Sequence, residues 1–382
     1  MYQLAQYFNL SLIWLVALIS LPLQAATPLP APPEVSATGY LLVDFHSGKI
    51  LAERNSDKRL EPASLTKIMT AYTIFRELQQ GNINLEDTVL VSEKAWRTPG
   101  SRMFIEVGKR VKMLDLIKGM IIQSGNDACV ALAEHIAGSE STFAELMNNH
   151  AQRLGMVDTH FMNSTGLPHK NHYTTAADIS KVARATIHEF PEYYQWYKEK
   201  SFLFNNIEQH NRNKLLWRDS SVDGMKTGHT EGAGYCLVAS AMKENMRLVS
   251  VIMGTKSEEA RAQASQSLLN YGFRFYETHQ LYAAGEALNR VRIWKGARDK
   301  LPLGLSEDLN VTIPRHQYKN LDANLEIEPK IMAPVQEGQS LGKVMVTLNG
   351  EPVTSATLIA LKTIPEGNLW QQIKDSALLW LE

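Results

Sequence analysis

The sequence predicts an α/β chain of the α+β kind: one antiparallel sheet with a helical lobe beside it, then a small all-β domain and a terminal amphipathic helix. Three observations carry this. Strand patterns stand at both ends of the stretch up to Glu286, with 3.6-residue periodicity between them. Beyond Glu286 that periodicity stops, and Val291, Ile293, Val311, Ile313, Leu325 and Ile327 fall in short alternating runs. From Asn368 onward an apolar stripe returns. The 382 residues are long enough for two folded domains.

Leu10 to Leu21 is a mostly apolar run followed by Pro22 and Gln24-Ala25-Ala26, short for a membrane span and right for the core of an export signal. Met1 to Asn9 lacks Lys and Arg, which departs from the usual signal pattern. Residues 1–26 are therefore expected to be removed, leaving a proline-rich lead over 27–33. The first domain is expected over 27–286. Tyr40 to Phe45 reads as a strand, His46-Ser47-Gly48 as a turn and Ile50 to Glu53 as the returning strand. Ile68, Ala71, Phe75 and Leu78 form a helical stripe between Pro62 and Gly81, residues suited to a helix start and stop. Met113 to Gln123 and Ala128 to Ile136 are further helical patterns. Tyr235 to Met242 and Met246 to Gly254 form a hairpin, and Ala260 to Phe275 a last helix.

Three short strings lie in order on this frame: Ser64-Leu65-Thr66-Lys67, Ser124-Gly125-Asn126 and Lys226-Thr227-Gly228. Each alone is weak, since Ser-x-x-Lys arises about once by chance in an average chain. Their context is what matters. Ser64 falls in the first turn of a helix, where free N–H groups favour developing negative charge. Lys67 is one turn on, so its amine reaches the Ser64 hydroxyl. A serine needs a base to become a nucleophile, and a lysine serves once burial and nearby cations lower its pKa. Ser124-Gly125-Asn126 sits between two helices, at once a helix-capping turn and a place for a proton-shuttling hydroxyl with an amide to hold Lys67 or substrate. Lys226 and Thr227 offer a cation and a hydroxyl to a carboxylate, and Gly228 removes a side chain where a peptide must approach. Taken singly, the same strings read as an ordinary buried helix, a cap and an exposed turn.

The resemblance extends further. Glu61 to Lys67, Ser124 to Ala128, Asn163-Ser164-Thr165-Gly166-Leu167-Pro168, Asn211-Arg212-Asn213 and Asp223 to Thr230 followed by Ala233-Gly234-Tyr235 resemble the low-molecular-mass penicillin-binding proteins that act as D-alanyl-D-alanine carboxypeptidases, from about Tyr40 to the C-terminus. The resemblance implies a β-lactamase-like transpeptidase fold and a serine peptidase trimming the terminal D-alanine of peptidoglycan pentapeptide stems, with β-lactams as covalent inhibitors. It implies Ser64 as nucleophile, Lys67 as base, Ser124 and Asn126 in proton transfer and positioning, and Lys226 and Thr227 on the terminal carboxylate. The oxyanion hole would be the N–H groups of Ser64 and His229, with Gly228 beside them. Arg261 falls where the family has an arginine near the carboxylate, though a surface arginine is the plain alternative.

Val344, Val346 and Leu348 lead into Asn349-Gly350, a hairpin turn, so 287–364 reads as the all-β domain, a spacer or partner platform. In 365–382, Leu369, Trp370, Ile373, Ala377, Trp380 and Leu381 share a face, with Gln371, Lys374, Asp375 and Glu382 mostly off it. This suits a helix lying in a membrane interface; a helix packed on the β domain is the alternative. The expected location is the periplasm, on the outer face of the inner membrane. A net charge of −1 gives no support to a nucleic-acid partner. Cys129 and Cys236 are expected to flank the site as two buried free thiols, with a pairing between them the alternative. His169 and His172 lie close, but no third ligand supports a metal, so a polar loop near the site is expected, with no cofactor. A class A β-lactamase would carry Glu-x-x-Leu-Asn, and Glu145-Leu146-Met147-Asn148 lacks the Leu-Asn pair. A β-lactam sensor would need membrane spans and a signalling module, for which no pattern is read. Carboxypeptidase, D,D-endopeptidase and transpeptidase action share the acyl-enzyme and stay open.

Overall fold

The computed structural model describes residues 29–381. The expected export signal lies outside the described residues. A five-stranded antiparallel sheet is built from β1 (Gly39–Asp44), β2 (Ile50–Arg54), β3 (Val222–Thr230), β4 (Gly234–Lys243) and β5 (Met246–Thr255), in the order β2-β1-β5-β4-β3. The chain ends of the domain thus meet at the centre, through β1 against β5. The central strands are apolar on both faces because both are covered. Along β4, Val238 belongs to the core beneath the helical lobe, while Leu237 and Ala239 belong to the core on the opposite face. This is the two-residue alternation of a strand dividing two buried layers.

The lobe is made by α1 (Thr66–Gln79), α2 (Asn126–Ala137), α3 (Glu140–Arg153) and α4 (Ala176–Glu189), and α5 (Glu258–Phe275) covers the other face. Ser139, Thr175 and Ser257 cap α3, α4 and α5, each side chain accepting from an N–H three residues on. One sequence expectation is modified. The stripe Met113 to Gln123 forms α-helix only over Met113–Lys118, then widens into a π-turn over Gly119–Gln123. The widened turn ends at Ser124, whose φ is 67°, and this turns the chain into α2.

The all-β part has β6 (Tyr276–Tyr282), β7 (Asn289–Trp294), β8 (Lys300–Gly304), β9 (Leu309–Pro314), β10 (Leu321–Ile327), β11 (Ile331–Met332), β12 (Ser340–Leu348) and β13 (Glu351–Ala360). Its six-stranded sheet runs β10-β12-β13-β8-β7-β11, and β6 pairs with β9. β6 lies ahead of the boundary expected at Glu286, because α5 leads directly into it. Asn349 and Gly350 join β12 to β13 with φ of 53° and 85°, the left-handed pair a two-residue hairpin demands. The β1–β2 turn is laced to this part: buried Asp44 accepts from Thr278 Oγ1 at 2.7 Å, and Lys49 Nζ donates to the Thr312 carbonyl at 3.0 Å.

The final helix, α6 (Leu369–Leu381), lies against β7 by its polar side. Asp375, only 8% exposed, accepts from the Lys295 N–H at 2.6 Å and from Arg292 Nη2 at 3.3 Å. Arg292 in turn covers the Trp294 ring at 3.6 Å. The apolar face looks outward, with Trp370 81% and Trp380 87% exposed. No helix among the described residues is long and apolar enough to cross a membrane.

Candidate active site

The three motifs converge where the lobe meets the edge strand β3. A short 3₁₀ turn, Ala63–Leu65, precedes α1, so Ser64 sits at the helix entrance. Ala63 is held at φ 46°, an uncommon conformation for a residue with a Cβ. β3 passes close above this turn. A Cβ at Gly228 would lie 3.2 Å from the Leu65 nitrogen and from the Pro62 oxygen, so glycine lets the strand close on the turn that carries Ser64.

Lys67 is 1% exposed and donates to Ser64 Oγ at 3.1 Å, Asn126 Oδ1 at 2.7 Å and the Thr165 carbonyl at 2.7 Å. Burial pushes its pKa below the usual lysine value, and the Arg212 guanidinium adds to this. A lysine so placed can shed its proton and take one from Ser64. Ser124 Oγ is buried and makes no hydrogen bond to a described residue, a hydroxyl free to pass a proton. Asn126 is fixed at its other end, where Nδ2 donates to the Pro99 carbonyl at 2.6 Å. Asp127 accepts from the N–H groups of Met103 and Phe104, both at 3.0 Å, and so holds the 99–104 segment over the site.

A cavity of about 480 Å³ opens here. Ser64, Ser124, Asn126, Thr227, Gly228, His229 and Arg261 line it. Arg261 is 4% exposed and donates to the Gly228 carbonyl at 3.2 Å, so it is a wall residue and not the surface arginine of the plain alternative. Lys226 lies beneath the lining, 3% exposed, its Nζ 3.2 Å from the Thr227 carbonyl. Burial, then Lys67 and Arg212, holds its pKa well below the ordinary lysine value. The His229 ring stacks on Tyr235 with centroids 4.0 Å apart. Sequence reasoning named no role for Gly100, Ser101, Thr165 or Arg212, which also border the cavity. Thr165 and Arg212 fall inside the family-like strings of the sequence; Gly100 and Ser101 carry no sequence signal, being loop residues tied in by Asn126, whose N–H donates to the Ser101 carbonyl at 2.7 Å.

Cys129 and Cys236 are both free and buried, and burial raises their thiols to about 12 and about 11. Among the described residues no group of three His, Cys, Asp or Glu side chains could hold a metal ion. His172 is bonded instead to Thr66 Oγ1 at 2.9 Å.

A helix-entrance serine, a buried lysine on its hydroxyl and a cation-walled cleft define a serine hydrolase working through an acyl-enzyme. Residues 26–257 match the family model described as D-alanyl-D-alanine carboxypeptidase, and 276–366 match penicillin-binding protein 5, C-terminal domain. The chain is similar to D-alanyl-D-alanine carboxypeptidase DacC of Escherichia coli K12, 44% identical over 363 residues, covering 93% of this chain and 91% of the relative. DacA of Haemophilus influenzae is 41% identical, covering 90% of this chain and 89% of the relative. Among solved structures, penicillin-binding protein 5 from Haemophilus influenzae superposes with a TM-score of 0.85 at 41% identity, covering 88% of this chain and 100% of that one. Penicillin-binding protein 6B from Escherichia coli gives 0.73 at 36%, covering 87% and 97%. The chain belongs to the D-alanyl-D-alanine carboxypeptidase family of serine peptidases.

Proposed function

We propose that this enzyme removes the terminal D-alanine from peptidoglycan pentapeptide stems, with Ser64 attacking the carbonyl between the last two residues. Lys67 takes the Ser64 proton, and Ser124 passes a proton to the departing amine, while Asn126 positions Lys67 and the substrate. The N–H groups of Ser64 and His229 receive the oxyanion. Thr227 and Arg261 face the terminal carboxylate, with Lys226 beneath them supplying positive potential. The observation that carries the reading is the triple donation of buried Lys67 to Ser64, Asn126 and Thr165. Incubating the mature protein with a D-Ala-D-Ala-terminated pentapeptide should release D-alanine. Penicillin should label one peptide, the one containing Ser64, and label that persists in Ser64→Ala would overturn the assignment.

The site reading is joined to one of location. We propose residues 1–26 as an export signal, 27–286 as the peptidase domain, 287–364 as a β platform and 365–382 as an anchor resting on the outer face of the inner membrane. What supports the anchor is that α6 uses its polar side, through Asp375, to meet the β domain and leaves Trp370 and Trp380 outward.

A further inference from the structure

The histidine pair His169 and His172 has no part in the chemistry above, yet the two side chains are not alike. His169 lies on the surface of its loop, while His172 is 3% exposed and packs edge-on against Phe161 with ring centroids 5.7 Å apart. Both nitrogens of His172 are engaged. The Met162 N–H donates to Nδ1 at 3.2 Å, which fixes Nδ1 as the acceptor and leaves the proton on Nε2. Nε2–H then donates to Thr66 Oγ1 at 2.9 Å. Thr66 stands between Leu65 and Lys67, at the first turn of α1.

This bond is one of three along the same stretch of helix. Thr66 takes His172, Lys67 donates to the Thr165 carbonyl at 2.7 Å, and Thr70 Oγ1 donates to the Ser164 carbonyl at 2.7 Å. Together they press segment 162–172 onto α1. The fit is close: a Cβ at Gly166, whose φ is 85°, would lie 1.8 Å from the Ala63 carbonyl oxygen. The same segment supplies Thr165, Gly166 and Leu167 to the wall of the active-site cavity.

We infer that His172 is a positioning residue for acyl transfer: its neutral Nε2–H ring clamps segment 162–172 to the first turn of α1, which keeps the Thr165 carbonyl on Lys67 and the Thr165–Leu167 wall beside Ser64. The inference rests on the acyl-enzyme reading above. Protonation breaks the clamp chemically, because a proton on Nδ1 sets two donors face to face at the Met162 N–H. The surroundings oppose that charge. His160 and His169 on the same loop and burial lower the His172 pKa to about 4, burial foremost. Arg59, Glu61 and Lys170 stand at the cleft outside the ring, Lys67 on α1, and Glu140 on α3 holds Ser164 from the far side.

A glutamine can reproduce both bonds, its amide N–H to Thr66 and its oxygen to the Met162 N–H, without titrating in this range. The test compares the full chain with His172→Gln and His172→Ala, reading the rate of Ser64 acylation by a fluorescent penicillin from about pH 4 to 8. The ratio of variant to parent cancels the common titration of Lys67. For His172→Gln the ratio is expected to be flat from about pH 6 upward and to rise about twofold near pH 4, where half of the parent's His172 is protonated. His172→Ala should acylate at least about fivefold more slowly at neutral pH, a factor of roughly 1 kcal/mol for one lost hydrogen bond, with reversible penicillin affinity little changed. A His172→Gln that acylates at least about fivefold more slowly than the parent at neutral pH overturns the inference, as does a folded His172→Ala that acylates like the parent. If His172→Ala does not fold, the glutamine arm decides alone. A parent that takes no label at any pH would instead sink the acyl-enzyme reading.

Discussion

The proposed anchoring can be tested apart from docking, because α6 meets the β domain through Asp375 and turns Trp370 and Trp380 outward. Replacing Asp375 by Ala removes the acceptor for the Lys295 N–H at 2.6 Å and for Arg292 at 3.3 Å. A buried donor left unsatisfied costs about 1–3 kcal/mol, so the helix should loosen from the β domain. The apolar face is untouched, so attachment to lipid vesicles should persist. Replacing Trp370 and Trp380 by Ser does the reverse. Both are more than 80% exposed and contribute little to folding. If each buries an aromatic side chain in lipid at about 1.5–3 kcal/mol, the double variant should lose at least about 3 kcal/mol of attachment, more than a hundredfold in partition. Vesicle co-sedimentation and thermal melting of both variants form the assay. Asp375→Ala should melt lower and still sediment; the tryptophan variant should melt like the parent and stay in solution. Peptide hydrolysis should be unchanged in both. A tryptophan variant that sediments fully would refute the anchor.

Three further outcomes are expected. Lys67→Arg keeps a cation in place but offers no base at neutral pH, so acylation by penicillin should fall by roughly 10²–10⁴-fold with circular dichroism unchanged; a near-parent rate would make Lys67 structural. Peptides whose terminal carboxylate is amidated should be poor substrates, and Lys226→Ala should cost free-acid peptides about 2–5 kcal/mol of transition-state binding while hardly affecting amides; equal turnover of acid and amide peptides would count against the carboxylate pocket. His172, with its pKa at about 4 in the folded chain against 6.5 unfolded, favours the fold fully above pH 6.5. As pH falls from 6.5 toward 4 the unfolded chain gains a proton that the folded one refuses, so up to about 3 kcal/mol is lost, with no further loss below 4. In urea titrations across that range His172→Gln should lose less stability than the parent; parallel losses would show that His172 titrates normally.

Much of this molecule was legible because its signals are local. Ser64 and Lys67 are one helical turn apart, so their meeting follows from helix geometry alone. The hairpin of β4 and β5 is written in two apolar runs of strand length, and the Asn349-Gly350 turn in its residue types. The rest of the site was illegible for a physical reason. Gly100 and Ser101 arrive through Asn126, more than twenty residues away, whose N–H donates to the Ser101 carbonyl and whose Nδ2 donates to the Pro99 carbonyl, and no period marks those bonds. Ser124 gains its place from a π-turn where the apolar stripe reads as plain α-helix. The stripe on α6 is readable, but Asp375 counts there only as a residue off the apolar face, and only the fold brings it onto the Lys295 N–H, just past β7, as a buried contact. Lys226 reads from the sequence as a residue holding the substrate carboxylate; in the structure its side chain is buried below the cavity lining.

That buried lysine has a bearing on the end of the catalytic cycle. Arg212 and Arg261 border one small cleft, with Lys226 beneath it and Glu258 among the residues that line it. A stem peptide enters with its terminal carboxylate as the only charge on the last residue. Once the bond is cut, that residue is a free amino acid and picks up an ammonium group. On the proposed carboxylate role, the attraction that draws the stem in would then be largely cancelled, and hydrolysis would switch the tenant from anion to zwitterion and favour its departure. D-alanine should therefore inhibit far more weakly than N-acetyl-D-alanine, which keeps the carboxylate alone; equal inhibition by the two would show that the cleft does not tell captive from product by charge.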